Sequence, residues 1–160
     1  MAGDSPVIVD PIRVHEAGIP SQPVSFDAAR AARSCRAILA EGGDLVDAWR
    51  FGILQTIDYY TSYLTRYGVT TACRVFDQEP ITIVPCVDAA FAAIAEHLAA
   101  RDGWIPPSWV NDPARFAPLP WFVAPAAQES GYFHDEALRL TPPEFRRRNV
   151  YIGLGDLARA

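Results

Sequence analysis

Apolar residues recur at Val87, Phe91, Ile94 and Leu98, at steps of four, three and four, which places them on one stripe of a helix. Alanines fill most of the remaining positions. They are the strongest helix formers, and their small side chains let a neighbouring helix approach closely. Asp88 falls in the first turn and Arg101 in the last, each favourable against the helix dipole. Gly103 suits a left-handed end, and Pro106-Pro107 forbid continuation. The spacing therefore predicts that the chain is organised around residues 87–110, a core helix followed by a proline- and tryptophan-rich exit.

The same periodicity continues upstream. Leu45, Trp49, Ile53, Ile57, Tyr60, Leu64 and Tyr67 recur at three- and four-residue steps, predicting a long helix capped by Asp44 and stopped by Gly68. An aromatic stripe at helical spacing reads as core, whereas Tyr59 and Tyr63 fall off it and are expected at the surface. Before it, Ser25 is the expected N-cap of a shorter helix, with Asp27 in its first turn and Gly42-Gly43 closing it. Phe26, Ala29, Cys35, Ile38 and Leu39 give that helix a modest apolar face. Thr70 or Thr71 is placed to cap a third, short helix ending near Asp77. Residues 78–85, QEPITIVP, form a connector between prolines, with a candidate strand at 81–84 and a candidate subdomain boundary. Residues 1–24 carry Pro6, Pro11, Pro20 and Pro23 with two short apolar runs. They read as an extended arm with at most a short strand, and Val7, Ile8 and Ile12 are its candidates for docking on the body or on a partner.

Beyond the central helix the pattern changes. Asp112-Pro113 pairs an N-cap with proline at the first helical position, predicting one turn over 114–116. Trp104, Trp109, Phe116, Trp121 and Phe122 crowd into the same segment, where prolines hold the backbone extended or turned. These rings are expected to cover the end of the helical core; the functional alternative is an aromatic surface or pocket built from Trp109, Trp121 and Phe122. Thr141-Pro142-Pro143-Glu144 has the spacing of a capping box, so a short helix through Arg148 is expected. Residues 150–152 suit a short strand, and Gly153 and Gly155 bracket Leu154 before a final turn at 156–159. No internal repeat is visible. The expected fold is mainly α: a small helical bundle over 25–160 with an aromatic, proline-rich C-terminal cap and at most short strands.

At 160 residues, with 50% hydrophobic and 21% charged residues, the chain fits one domain with a real core. The net charge of -5 argues against a general nucleic-acid binder, whose affinity comes mainly from phosphate contacts. Every basic residue is arginine, a bias that a GC-rich coding sequence would produce. Cys35, Cys73 and Cys86 are odd in number and lack CxxC spacing, so they read as reduced thiols of a cytoplasmic protein. No run is long and apolar enough for a signal peptide or a membrane span.

Candidate chemistry is sparse. His97 follows Glu96 on the central helix, but adjacent helical positions point about 100° apart and do not chelate together. Neither His15 nor His134 belongs to a zinc-ligand spacing, and His134-Asp135-Glu136 reads as a solvated loop or helix start. No nucleophile elbow occurs, and Gly153-Leu154-Gly155 lacks the third glycine of a dinucleotide loop. No enzyme, cofactor or metal is expected. The sharpest charged feature is Arg146-Arg147-Arg148. Three consecutive arginines on a helix fan over about 200°, so at least one leans on the body while others face solvent. The bland reading is a helix end favoured by the dipole; the functional one is a contact with an acidic or anionic partner, to which guanidinium groups are suited.

Three blocks, AEHLAARDGWIPPSWVNDPARF, PWF and PPEFRRRNVYIGLGDLARA, together resemble the C-terminal region of a little-characterised group of bacterial proteins, over roughly the last 75 residues. Many members carry an N-terminal helix-turn-helix domain, and some are encoded beside nucleotidyltransferase-like proteins, an arrangement of antitoxin and toxin. This chain shows no helix-turn-helix: the helix from Asp44 is too long, the next too short, and the region is not basic. The resemblance implies the partner-binding half alone: a non-catalytic module, an antitoxin of a nucleotidyltransferase-like toxin. It carries over no catalytic residue. From the residues themselves, Arg146, Arg147, Arg148 and the N-terminal arm are the surfaces expected to meet a partner. Homodimerisation stays open. The alternatives are a DNA-associated regulator and an enzyme with a pocket beneath the Trp109 and Trp121 rings.

Overall fold

A computed structural model describes residues 24–153 and 155–158. The arm residues Val7, Ile8 and Ile12 lie outside the described residues. Helix α1 spans Ala28–Ala40. Its N-cap is Asp27 rather than Ser25: the Asp27 carboxylate accepts from the Arg30 amide at 2.7 Å. Ser25 is drawn away to the Tyr63 hydroxyl, which accepts from its backbone amide at 3.0 Å. Ala28, Ala31, Ala32 and Cys35 are buried, one stripe at the spacing of a packed helix.

The long helix forms, but it is interrupted. We label as α2 the contiguous segments Leu45–Ala48, Trp49–Leu54 and Gln55–Tyr67, the middle one π-helical. A reciprocal capping box between Asp44 and Asp47 opens it, and Gly68, at φ 85°, ends it. The π turn sits where α2 meets α1. A Cβ added to Gly52 would lie 2.1 Å from the Cys35 sulfur, a separation only glycine permits. The turn re-phases the apolar stripe, so that Trp49, Ile53 and Tyr60 are buried while Tyr67 is exposed. Tyr59 and Tyr63, expected at the surface, are half-buried instead, with Phe26 stacked on Tyr59 at 4.1 Å. Gly52→Ala is expected to cost about 1–3 kcal/mol, and adding Cys35→Ala should recover most of that by removing the clashing sulfur. A double-mutant cycle in urea checks it, and strict additivity would show that the two residues do not meet.

Helix α3, Val69–Ala72, runs on as a 3-10 turn, Cys73–Phe76, that buries Val75 and Phe76. No threonine side chain caps it. The connector that follows forms no strand; Ile81, Ile83 and Val84 pack on a core built from residues on both sides of it. Helix α4, Pro85–Asp102, opens with proline at its first position and closes at Gly103, left-handed at φ 77°. From Val87 to Ala95 every residue is buried. The stripe read from the spacing is thus too narrow, because a central helix enclosed on all sides needs no polar face.

Past α4 the chain makes 3-10 turns at Ser108–Asn111 and Pro113–Arg115, and Asp112 caps the second as expected by accepting from the Ala114 amide. Strand β1, Trp121–Phe122, the 3-10 turn Pro125–Ala127, helix α5, Tyr132–Leu140, helix α6, Pro143–Arg146, and strand β2, Val150–Tyr151, complete the cap. The strands pair in parallel, Trp121 with Val150 and Phe122 with Tyr151. Thr141 does not cap α6. Its hydroxyl donates to the Ala137 carbonyl and accepts from the Ile152 amide, joining α5 to β2. Among the described residues no helix is long and apolar enough to cross a membrane.

Candidate functional site

The three consecutive arginines differ in burial, and two of them share Glu96. Phe145, fully buried between Trp49 and His97, anchors α6. Asn149, at φ 61°, then turns the chain toward β2, and its side-chain amide donates to the Ala117 carbonyl at 2.8 Å. This turn drives Arg148 inward. Its side chain is 0% exposed; it donates to the Glu96 carboxylate, to the Glu144 carbonyl at 2.8 Å and to the Val110 carbonyl at 3.0 Å, and it lies against the Phe116 ring. Burial lowers its guanidinium to about 10, which leaves it protonated in the neutral range. Arg148 is therefore an internal tie between α6 and α4 and not part of a partner-facing surface. Arg147 is half-exposed and pairs with the second oxygen of Glu96. Arg146 is exposed, its guanidinium donating to the Arg139 and Thr141 carbonyls at 3.3 and 3.2 Å. His97 Nδ1 meets the Glu144 carboxylate at 3.2 Å beside this network.

The aromatic residues proposed as a pocket are packed instead. Trp109 is 8% exposed, and its indole donates to the Phe76 carbonyl. Trp121 is 7% exposed and meets the Trp49 ring edge-on at 5.8 Å. Phe122 lies between His134 and Tyr151, stacked at 4.1 and 4.9 Å. Trp109 and Trp121 are buried in the helical core and help to close it. His134, read as solvated, is half-buried in that stack and bonds the Ala127 carbonyl through Nδ1.

None of the three thiols is disulfide-bonded, and burial pushes all three up, Cys35 to about 12. They are poor nucleophiles at neutral pH. Among the described residues no group of three or more His, Cys, Asp or Glu converges to hold a metal.

What the molecule does present is a set of exposed apolar side chains on α5. His134 and Ala137 turn toward the body, while Tyr132 is 71%, Phe133 53%, Leu138 42% and Leu140 38% exposed. Phe133 and Leu140 are seven residues apart and so share one flank of the helix. Tyr132 meets Phe133 edge-on at 5.4 Å. Leu140 also lines an open cleft of about 290 Å³ with Pro142, Ile152, Gly153 and Leu157. The cleft's rim is acidic: Glu136 and Asp156 oxygens lie 3.4 and 3.6 Å from where a Gly153 Cβ would stand. The Gly153 amide donates to Asp156 at 2.6 Å, burial raises that carboxyl, and the Trp49 indole holds the turn through the Asp156 carbonyl. Arg146 bonds the carbonyl of Thr141, which stands between cleft residues Leu140 and Pro142 along the chain.

Sequence reasoning missed this face because α5 spans only nine residues, and the segment around His134-Asp135-Glu136 reads from its charges as a solvated loop or helix start. The signal was Tyr132-Phe133 followed by Leu138 and Leu140, too many large apolar residues for a solvated helix. No protein-family model matches the chain, nor does any curated protein or solved structure.

Proposed function

We propose that the protein is a non-catalytic, cytoplasmic protein-binding module whose contact surface is the α5 flank and the cleft beside it. The observation that carries this reading is the exposure of Phe133 and Leu140 on one flank of α5, with Leu140 also lining that cleft. An apolar centre with a polar rim is the anatomy of a protein interface. The occupant that fits is an apolar segment with a basic flank, since Glu136 and Asp156 stand at the rim and the chain carries a net charge of -5. Arg146 lies at the edge of this face and Arg147 beyond it, where they act as rim contacts. The resemblance of the C-terminal blocks to antitoxin-like proteins makes a nucleotidyltransferase-like product of a neighbouring gene the first partner to test.

The test is titration calorimetry of the full chain against that product. Phe133→Glu together with Leu140→Glu is expected to weaken the complex by about 2 kcal/mol or more, with circular dichroism melts close to wild type because both side chains are exposed. Unaltered affinity in the double variant would overturn the α5 face. Loss of binding on changing Arg147 alone would move the interface to the arginine turn.

A further inference from the structure

A second buried arginine, which no sequence pattern singled out, is incompletely paired. Arg115 is 1% exposed, yet its Nε and Nη1 have no hydrogen-bond partner. Its Nη2 donates to the Pro80 carbonyl and to one oxygen of Glu79 at 3.2 Å, while the nearest Asp88 oxygen is 4.0 Å from Nη1, beyond hydrogen-bond reach. The end-on fork of this guanidinium is thus half used. Glu79 holds it through one nitrogen where a carboxylate can take two. Glu79 itself is half-exposed, so water competes for its carboxylate even though the guanidinium it meets is buried. Between Arg115 and the 79–82 segment lies an open recess of about 400 Å³ lined by Glu79, Pro80, Ile81, Thr82 and Arg115.

We propose that this recess binds a small monocarboxylate, which displaces the Glu79 side chain and takes Nη1 and Nη2 of Arg115 together. The shape of the site favours that ligand. The Trp109 ring covers one side of the guanidinium at 5.2 Å, so a ligand approaches in the plane, where a flat carboxylate matches the fork. Asp88, 4.0 Å from Nη1, repels any anion at the fork but a doubly charged one such as phosphate more than a monocarboxylate, and Ile81 gives a short aliphatic tail a surface to lie on. Glu79 acts as the resident competitor.

The probe is acetate, followed by NMR on the full chain through the Arg115 Nε–Hε signal and the Ile81 and Thr82 amides. Saturable shifts are expected with acetate and much weaker ones with inorganic phosphate. Glu79→Gln removes the competing charge without touching the buried guanidinium. It is expected to tighten acetate binding at least about twofold, the lower end that a half-exposed competing carboxylate sets. Arg115→Lys, if folded, should abolish binding. Absence of saturable acetate shifts in both wild type and Glu79→Gln would overturn the proposal. Equal affinity of the two forms, or phosphate binding as well as acetate, would do so too.

Discussion

Replacing Arg148 with alanine is expected to cost about 3–5 kcal/mol of unfolding free energy, whereas Arg146→Ala should cost less than about 0.5 kcal/mol. The two residues are two positions apart and chemically identical, so the difference comes from placement alone. Arg148 is fully buried and donates to Glu96, Glu144 and Val110. Its removal leaves two carbonyls short of a donor and Glu96 with Arg147 as its remaining ion-pair partner. A void also opens against Phe116. Arg146 only donates to two carbonyls from an exposed position, where water replaces it. Arg148→Met separates charge from volume: it fills the space, and what destabilisation remains reports the stranded polar groups. Urea midpoints at unchanged slope are the measurement. Equal midpoints for Arg148→Ala and Arg146→Ala would show that the tie between α6 and α4 contributes nothing.

The contrast also shows where sequence reasoning reaches and where it stops. Helix α4 and its ends were legible because each signal is local: apolar spacing, Asp88, Arg101, Gly103 and the prolines beyond. The Asp112 cap and the stop at Gly68 are local in the same sense. The inward arginine was not, because its direction is set by a left-handed Asn149 and by Glu96, 52 residues earlier. The π turn in α2 follows from a glycine facing a cysteine on another helix, a meeting that period counting along one helix does not register. The aromatic cap was legible as packing, but the pairing of Trp121–Phe122 with Val150–Tyr151 was not, since two-residue strands carry no period. The α5 face escaped for a different reason. An apolar stripe has the same period whether it packs inward or meets another molecule, and nine residues are too few to tell the two apart.

Phe91→Ala is expected to destabilise the protein by about 3–5 kcal/mol, the range for deleting a buried phenylalanine ring. Phe91 is fully buried near the middle of α4, and its ring tip lies 3.6 Å from where a Cβ on Gly52 would stand. It therefore packs into the space left by the glycine at the π turn, where α1, α2 and α4 converge. Collapse around the void is restricted. Its neighbours Ala89, Ala90, Ala92 and Ala93 are small and buried, so no long side chain on α4 can swing in. Gly52 brings backbone rather than side chain to the contact, and the Cys35 thiol is tethered to the Ala48 carbonyl. The cost should thus lie toward the upper part of the range, above that of Leu98→Ala near the helix end, expected at about 2–4 kcal/mol. Phe91→Leu, which keeps most of the volume, should cost less than Phe91→Ala. Urea unfolding of the three variants orders them. A Phe91→Ala midpoint equal to wild type would mean that α4 is peripheral, and that the chain is organised around some other element.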